Sequence, residues 1–151
     1  MLQRHSLKLG KFSIRTLATG APLDASKLKI TRNPNPSKPR PNEELVFGQT
    51  FTDHMLTIPW SAKEGWGTPH IKPYGNLSLD PSACVFHYAF ELFEGLKAYR
   101  TPQNTITMFR PDKNMARMNK SAARICLPTF ESEELIKLTG KLIEQDKHLV
   151  P

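Results

Sequence analysis

The stretch YAFELFEGLKAYR, residues 88 to 100, sets four aromatic rings, two glutamates, a glycine and one lysine, Lys97, within thirteen positions. An amine beside aromatic rings and a tight turn has the makings of a nucleophile for a carbonyl group. The same residues equally describe a solvated lysine after a helix stop. A second candidate is the series Arg110, Arg117 and Arg124, spaced seven apart, which a helix would bring near one stripe. Guanidinium groups form bidentate pairs with phosphate and carboxylate, although a solvated helix face is the plainer reading of such a stripe. Phe86, Tyr88, Phe90 and Phe93 crowd one candidate helix just before Gly95, as a pocket wall or as core packing.

Other chemistry has little support in the sequence. There is no glycine-rich phosphate loop and no metal-spaced cluster of His, Cys and Asp. His54, His70, His87 and His148 have no obvious partner along the chain. Cys84 and Cys126 form neither a CxxC pair nor a disulfide framework, which suits a reducing compartment. From physics alone the chain reads as an α+β domain with an anion-binding hint.

The elements that must position these residues follow from local pattern. LVFGQTFTDHMLTIPW, from Leu45, reads as one or two strands with a turn at Gly48, and AKEGWGTPHIKPYGN as a loop. LSL, residues 77 to 79, reads as a short strand. Asp80 and Pro81 suit an N-cap and first helical position, which predicts a helix through about Phe93 with Gly95 as its stop. LKAYR and TITMF flank TPQN as a hairpin. Pro111 opens a helix to about 125 with Met115, Met118, Ala122 and Ile125 on one face. A last helix, about 131 to 147, carries Leu135, Leu138, Leu142 and Ile143 at helical spacing. Strands, helix, hairpin, helix, helix is a mixed α+β order rather than a repeated βαβ winding.

The net charge of +7 is unevenly distributed. Residues 1 to 41 hold nine Lys and Arg against Asp24 alone, and residues 42 to 151 hold twelve against thirteen acids. A neutral body argues against a nucleic-acid-binding domain, whose excess charge sits on the folded part. No apolar run approaches the length of a membrane span. In the acid-free segment MLQRHSLKLGKFSIRTLATG, Arg4, Lys8, Lys11 and Arg15 would share a helical arc of about 60°. That is the signature of a mitochondrial transit peptide, residues 1 to 17, with matrix localisation. Residues 18 to 42 form a Pro-rich basic linker, expected to be extended unless it lies along a surface, with the folded part beginning near Leu45.

LFEGLKAYR and TITMFRPDKNMARMNKSAARICLP strongly resemble the branched-chain aminotransferases, the fold-type-IV pyridoxal-phosphate enzymes. LVFGQTFTDHML and WGTPHIKPYGNLSL resemble the same family, so the likeness covers about residues 43 to 151. With the transit-like start, the chain resembles a fungal, yeast-like mitochondrial member. The resemblance implies the small N-terminal domain of that fold, incomplete here. It also implies amino transfer between leucine, isoleucine or valine and 2-oxoglutarate on pyridoxal 5'-phosphate, in a homodimer. Arg117 of NMARM matches the arginine that binds the cofactor phosphate. Phe47, Tyr88 and Phe93 match residues lining the apolar substrate pocket, with the tyrosine contributed across the dimer interface. Lys97 matches a basic position at the substrate mouth, where a cation attracts carboxylates.

The same resemblance implies that the Schiff-base lysine lies beyond residue 151, so no catalytic residue is assigned. The 151-residue polypeptide is expected to be inactive alone, and a non-catalytic truncated product pairing with a full-length subunit is the alternative. D-amino-acid aminotransferase and aminodeoxychorismate lyase are the runner-up activities of the fold type.

Overall fold

The computed structural model describes residues 20 to 151, and the expected transit peptide at residues 1 to 17 lies outside them. The backbone is a mixture of short strands and two long helices, as the sequence order requires. Strands β1 (Lys29–Ile30), β2 (His54–Thr57) and β5 (His70–Pro73) form a three-stranded sheet in the order β1-β5-β2. β5 is central. It runs parallel to β1, with Ile30 opposite Ile71, and antiparallel to β2, with Leu56 opposite Ile71. β3 (Trp60–Ser61) and β4 (Gly65–Trp66) make a small antiparallel ribbon that pairs Trp60 with Trp66.

The hairpin and the last two helices follow the sequence reading. β6 (Ala98–Arg100) pairs antiparallel with β7 (Ile106–Met108), and Asn104 takes the left-handed conformation in the turn, φ 61°. α2 (Pro111–Arg124) starts at its proline. It ends in a Schellman arrangement: Leu127 N–H donates to the Ala122 carbonyl at 2.9 Å, and Cys126 occupies the left-handed position that glycine usually fills. α3 (Ser132–Gln145) has Glu133 and Glu134 in its first turn, where negative charge suits the helix dipole. Met115 and Ala122 of α2 and Leu138 of α3 are buried with Ile71 and Leu23, so the predicted apolar faces form the core.

Several local expectations are corrected. The helix predicted from Asp80 to Phe93 is reduced to α1 (Cys84–Tyr88). The Asp80 carboxylate instead accepts from the Ser82 amide at 2.8 Å and from its hydroxyl at 2.6 Å, closing a turn before the helix begins. None of the α1 residues is buried, so no packed face sustains further turns, and Ala89 stops it at φ 48°. Gly95 is therefore no helix stop, and Phe90 and Phe93 leave the helix that was expected to carry them. LSL, residues 77 to 79, has no pairing partner and stays irregular, with Leu77 and Leu79 exposed. The segment 45 to 60 turns at Gly48 as expected, φ 77°, but becomes strand only from His54.

The supposed loop 62 to 76 holds β4 and β5, because tertiary pairing outweighs its glycines and prolines. The folded part also starts well before Leu45. Leu23 is buried, and the Lys29 amide donates to the Pro69 carbonyl at 2.9 Å as β1 joins the sheet. Ala21 bridges Gly65 in parallel, and Gly65 sits at φ 78° with the Ala21 backbone against it, so a Cβ there would collide.

Candidate functional site

The hairpin β6–β7, the extended chain before it and the first three turns of α2 enclose an open groove of about 1060 Å³. Phe47, Phe93, Lys97 and Arg117 all line it, so four of the five residues singled out in the sequence share one site. The fifth does not: Tyr88, at the end of α1, is outside the groove and 81% exposed. Phe47 and Phe93 are also highly exposed, as rings on an open wall rather than core residues. Tyr99 and Phe109 from the hairpin add two aromatic rings that the sequence reading did not single out. Among the arginine stripe, Arg110 and Arg117 line the groove and Arg124 does not.

The electrostatics of the groove are lopsided. Lys97, Arg110, Lys113, Arg117 and Lys120 face one acid, Glu94. That acid is already engaged. Arg117 Nη2 donates to Glu94 Oε1 at 2.6 Å, and Arg117 Nε to Oε2 at 3.3 Å, a two-point contact along one edge of the guanidinium. Asn114 Nδ2 donates to the same Oε1 at 2.9 Å and to the Gly95 carbonyl at 2.5 Å. The bond from Arg117, with help from Asn114 and the arginine charge, holds the Glu94 carboxyl below its ordinary range, and Glu94 raises Arg117 in return. Lys113 Nζ lies 3.5 Å from Asp112 Oδ2, and Lys97, Arg110 and Lys120, which pair with no carboxylate among the described residues, make the groove attractive to anions.

Glu94 and Asn114 were missed from sequence. The signal for Asn114 was its place three residues before Arg117 on α2, one turn away on the same face. Glu94 offered none, because the predicted helix would have placed it differently.

A second polar cluster lies away from the groove. His54 Nδ1 is 2.6 Å from Asp146 Oδ1, the His54 amide donates to Asp146 Oδ2 at 2.9 Å, and His54 Nε2 accepts the Asn33 amide at 2.8 Å. Because Nε2 accepts, the network assigns the ring proton to Nδ1. His54 and Asp146 are both buried. Asp53 beside them accepts from the Ser37 amide at 2.9 Å, with His148 Nε2 at 3.5 Å. These contacts join the segment 33 to 37, β2 and the end of α3, and with His54, Asp53 and Asp146 buried they form a structural clasp rather than a reaction centre. No group of His, Cys, Asp and Glu suited to a metal ion occurs among the described residues. No helix among them is long and apolar enough to cross a membrane.

A basic groove with aromatic walls fits a small anionic ligand carrying apolar parts, and comparison with known proteins narrows the class. The relatives are aminotransferases. More particularly, they are branched-chain-amino-acid aminotransferases, and the chain is homologous to them over most of its own length. It is 76% identical over 133 residues to the cytosolic enzyme of Saccharomyces cerevisiae, covering 88% of this chain and 35% of that one. It is 49% identical over 125 residues to the mitochondrial enzyme of Rattus norvegicus, covering 83% and 32%. Against the enzyme of Monosiga brevicollis it is 47% identical over 139 residues, covering 92% and 35%. The chain thus spans about a third of the length of the curated relatives it matches. Relatives occur in both compartments, and the yeast relative is cytosolic. No family model matches the chain.

Proposed function

We propose that this chain is the small-domain portion of a fold-type-IV branched-chain-amino-acid aminotransferase and supplies one wall of its active site. The observation that carries this reading is the convergence of Phe47, Phe93, Lys97 and Arg117 on a single groove. The donor set suits a phosphate-bearing cofactor, since five cations line the groove and its one acid is already paired with Arg117. Arg117 holds the phosphate of pyridoxal 5'-phosphate in this reading. When bound, that cofactor supplies the electron sink for amino transfer.

The protein's own residues do the rest. Phe47 and Phe93 shelter the branched side chain of leucine, isoleucine or valine, where each buried methylene contributes roughly 0.8 kcal/mol of recognition. Lys97 stands with the other cations and draws the carboxylates of amino acids and 2-oxo acids toward the groove. Tyr88, exposed and outside the groove, completes the partner's pocket in a homodimer. Residues 1 to 17 direct the protein to the mitochondrial matrix, and the Pro-rich segment 18 to 42 runs from them along the body, to which Leu23 and β1 already belong.

The test is a transaminase assay of the protein expressed from its complete reading frame, with 2-oxoglutarate as acceptor. Amino transfer from leucine, isoleucine and valine is expected. Rejection of all three with acceptance of a D-amino acid would move the assignment to another activity of the fold type. Import of a fusion carrying residues 1 to 17 into isolated mitochondria tests the address; a fusion left outside would remove it.

A further inference from the structure

We infer that Glu94 is a positioning residue that presets the Arg117 guanidinium for an oxyanion, with Asn114 holding Glu94 in turn. This inference rests on the reading of Arg117 as a phosphate ligand. An arginine on the exposed side of a helix samples many rotamers, and an anion binding to it must freeze them. Here Arg117 is 60% exposed, yet its Nε and Nη2 are fixed on the two oxygens of one carboxylate. That carboxylate is itself largely enclosed, at 13% exposure, and cannot follow the arginine into solvent.

Asn114 is the anchor. It is buried, its amide nitrogen bridges Glu94 Oε1 and the Gly95 carbonyl, and it lies one turn before Arg117 on α2. The chain of contacts therefore runs from helix backbone to asparagine, to glutamate, to guanidinium. No protein acceptor takes up Nη1 among the described residues, so that edge keeps its donors for a ligand.

The opposite role for Glu94 is a competitor whose charge repels the anion. Geometry weighs against it. The Glu94 charge is neutralised by the guanidinium it holds and Lys113 pairs with Asp112 at 3.5 Å, but Lys97, Arg110 and Lys120 still leave the groove with excess positive charge. The two roles predict opposite signs, which makes them separable.

The experiment compares pyridoxal 5'-phosphate with pyridoxal, which lacks the phosphate, as probes of the protein from its complete reading frame. Affinities are read by absorbance and fluorescence titration, with circular dichroism to verify folding. For Glu94→Ala, affinity for the phosphorylated probe is expected to fall about tenfold while affinity for pyridoxal stays the same. Glu94→Gln keeps one acceptor oxygen, preserves the local shape and should retain part of the discrimination. A merely structural role would weaken both probes together and overturn the inference. Tighter binding of the phosphorylated probe by Glu94→Ala would also overturn it, in favour of competition. Arg117→Ala separates the premise: if its discrimination equals that of the unaltered protein, the phosphate assignment itself fails. If Arg117→Ala abolishes discrimination and Glu94→Ala does not alter it, only the positioning role falls.

Discussion

His54 and Asp146 lie 92 residues apart in the chain and are joined by two hydrogen bonds, one from the imidazole at 2.6 Å and one from the main-chain amide at 2.9 Å. The aspartate follows the last residue of α3, and the histidine opens β2. Replacing Asp146 with alanine leaves two buried donors unpaired, so a loss of about 3 kcal/mol is expected. Chemical denaturation of the Asp146→Ala variant measures it, and a change below about 0.5 kcal/mol would show that the clasp contributes nothing.

Asp53 supplies a pH dependence with a definite sign. Burial pushes its carboxyl up, but the hydrogen bonding from Ser37, helped by the nearby His148, outweighs this and holds it below the ordinary value. A depressed carboxyl contributes stability that is complete above its unfolded value of roughly pH 4 and is lost as pH falls through the lower folded value. Glu94, Asp24, Asp80, Glu134 and Glu144 shift in the same direction. The unfolding midpoint should therefore drop below about pH 4, and Asp53→Asn should make that drop shallower. An unchanged acid limb in Asp53→Asn would remove Asp53 from the account.

Gly65 is required by its conformation and by its neighbour. Alanine there meets both a left-handed φ of 78° and the Ala21 backbone, so a cost of about 2 kcal/mol or more is expected. Gly75 has open space around its Cβ position and no such φ, and Gly75→Ala serves as the matched control with a change within about 0.5 kcal/mol. Comparable unfolding midpoints for the two variants would contradict the close approach of residues 20 and 21 to β4.

Phe47 and Phe93 separate folding from binding. Both rings are exposed, so truncating either should move stability by no more than about 0.5 kcal/mol. If they form the apolar wall proposed above, KM for leucine should rise about tenfold in the complete protein, with a smaller effect for alanine as amino donor. Equal effects on the two donors would argue against a side-chain pocket there.

What could be read from the sequence was decided by how local the cause was. α2 was legible because Pro111 marks its start and the spacing of Met115, Met118, Ala122 and Ile125 its face. The hairpin was legible from TPQN between two short apolar runs. The clasp of His54, Asn33 and Asp146 was not, because its members come from three distant segments and none has a local motif. α1 failed for another reason. Asp80 and Pro81 are sound helix-opening residues, but the helix had no surface to pack against, and Asp80 satisfied its bonds within a turn. β5 is the reverse case, where a proline-rich segment becomes the central strand because partners exist on both sides. The groove was half legible: its cation and ring positions stood out, whereas the Glu94–Asn114 support depends on how the irregular chain before β6 meets α2.

The left-handed turn at Ala89 also governs contour length. A helix advances about 1.5 Å per residue and an open chain up to about 3.3 Å. By unwinding the chain after Tyr88, Ala89 gives the segment to Ala98 about twice the reach a continued helix would have. Two aromatic residues five positions apart are thereby uncoupled: Phe93 is delivered to the groove and Tyr88 is left at a surface of its own. A single residue at φ 48° thus lets one short sequence serve two separate locations.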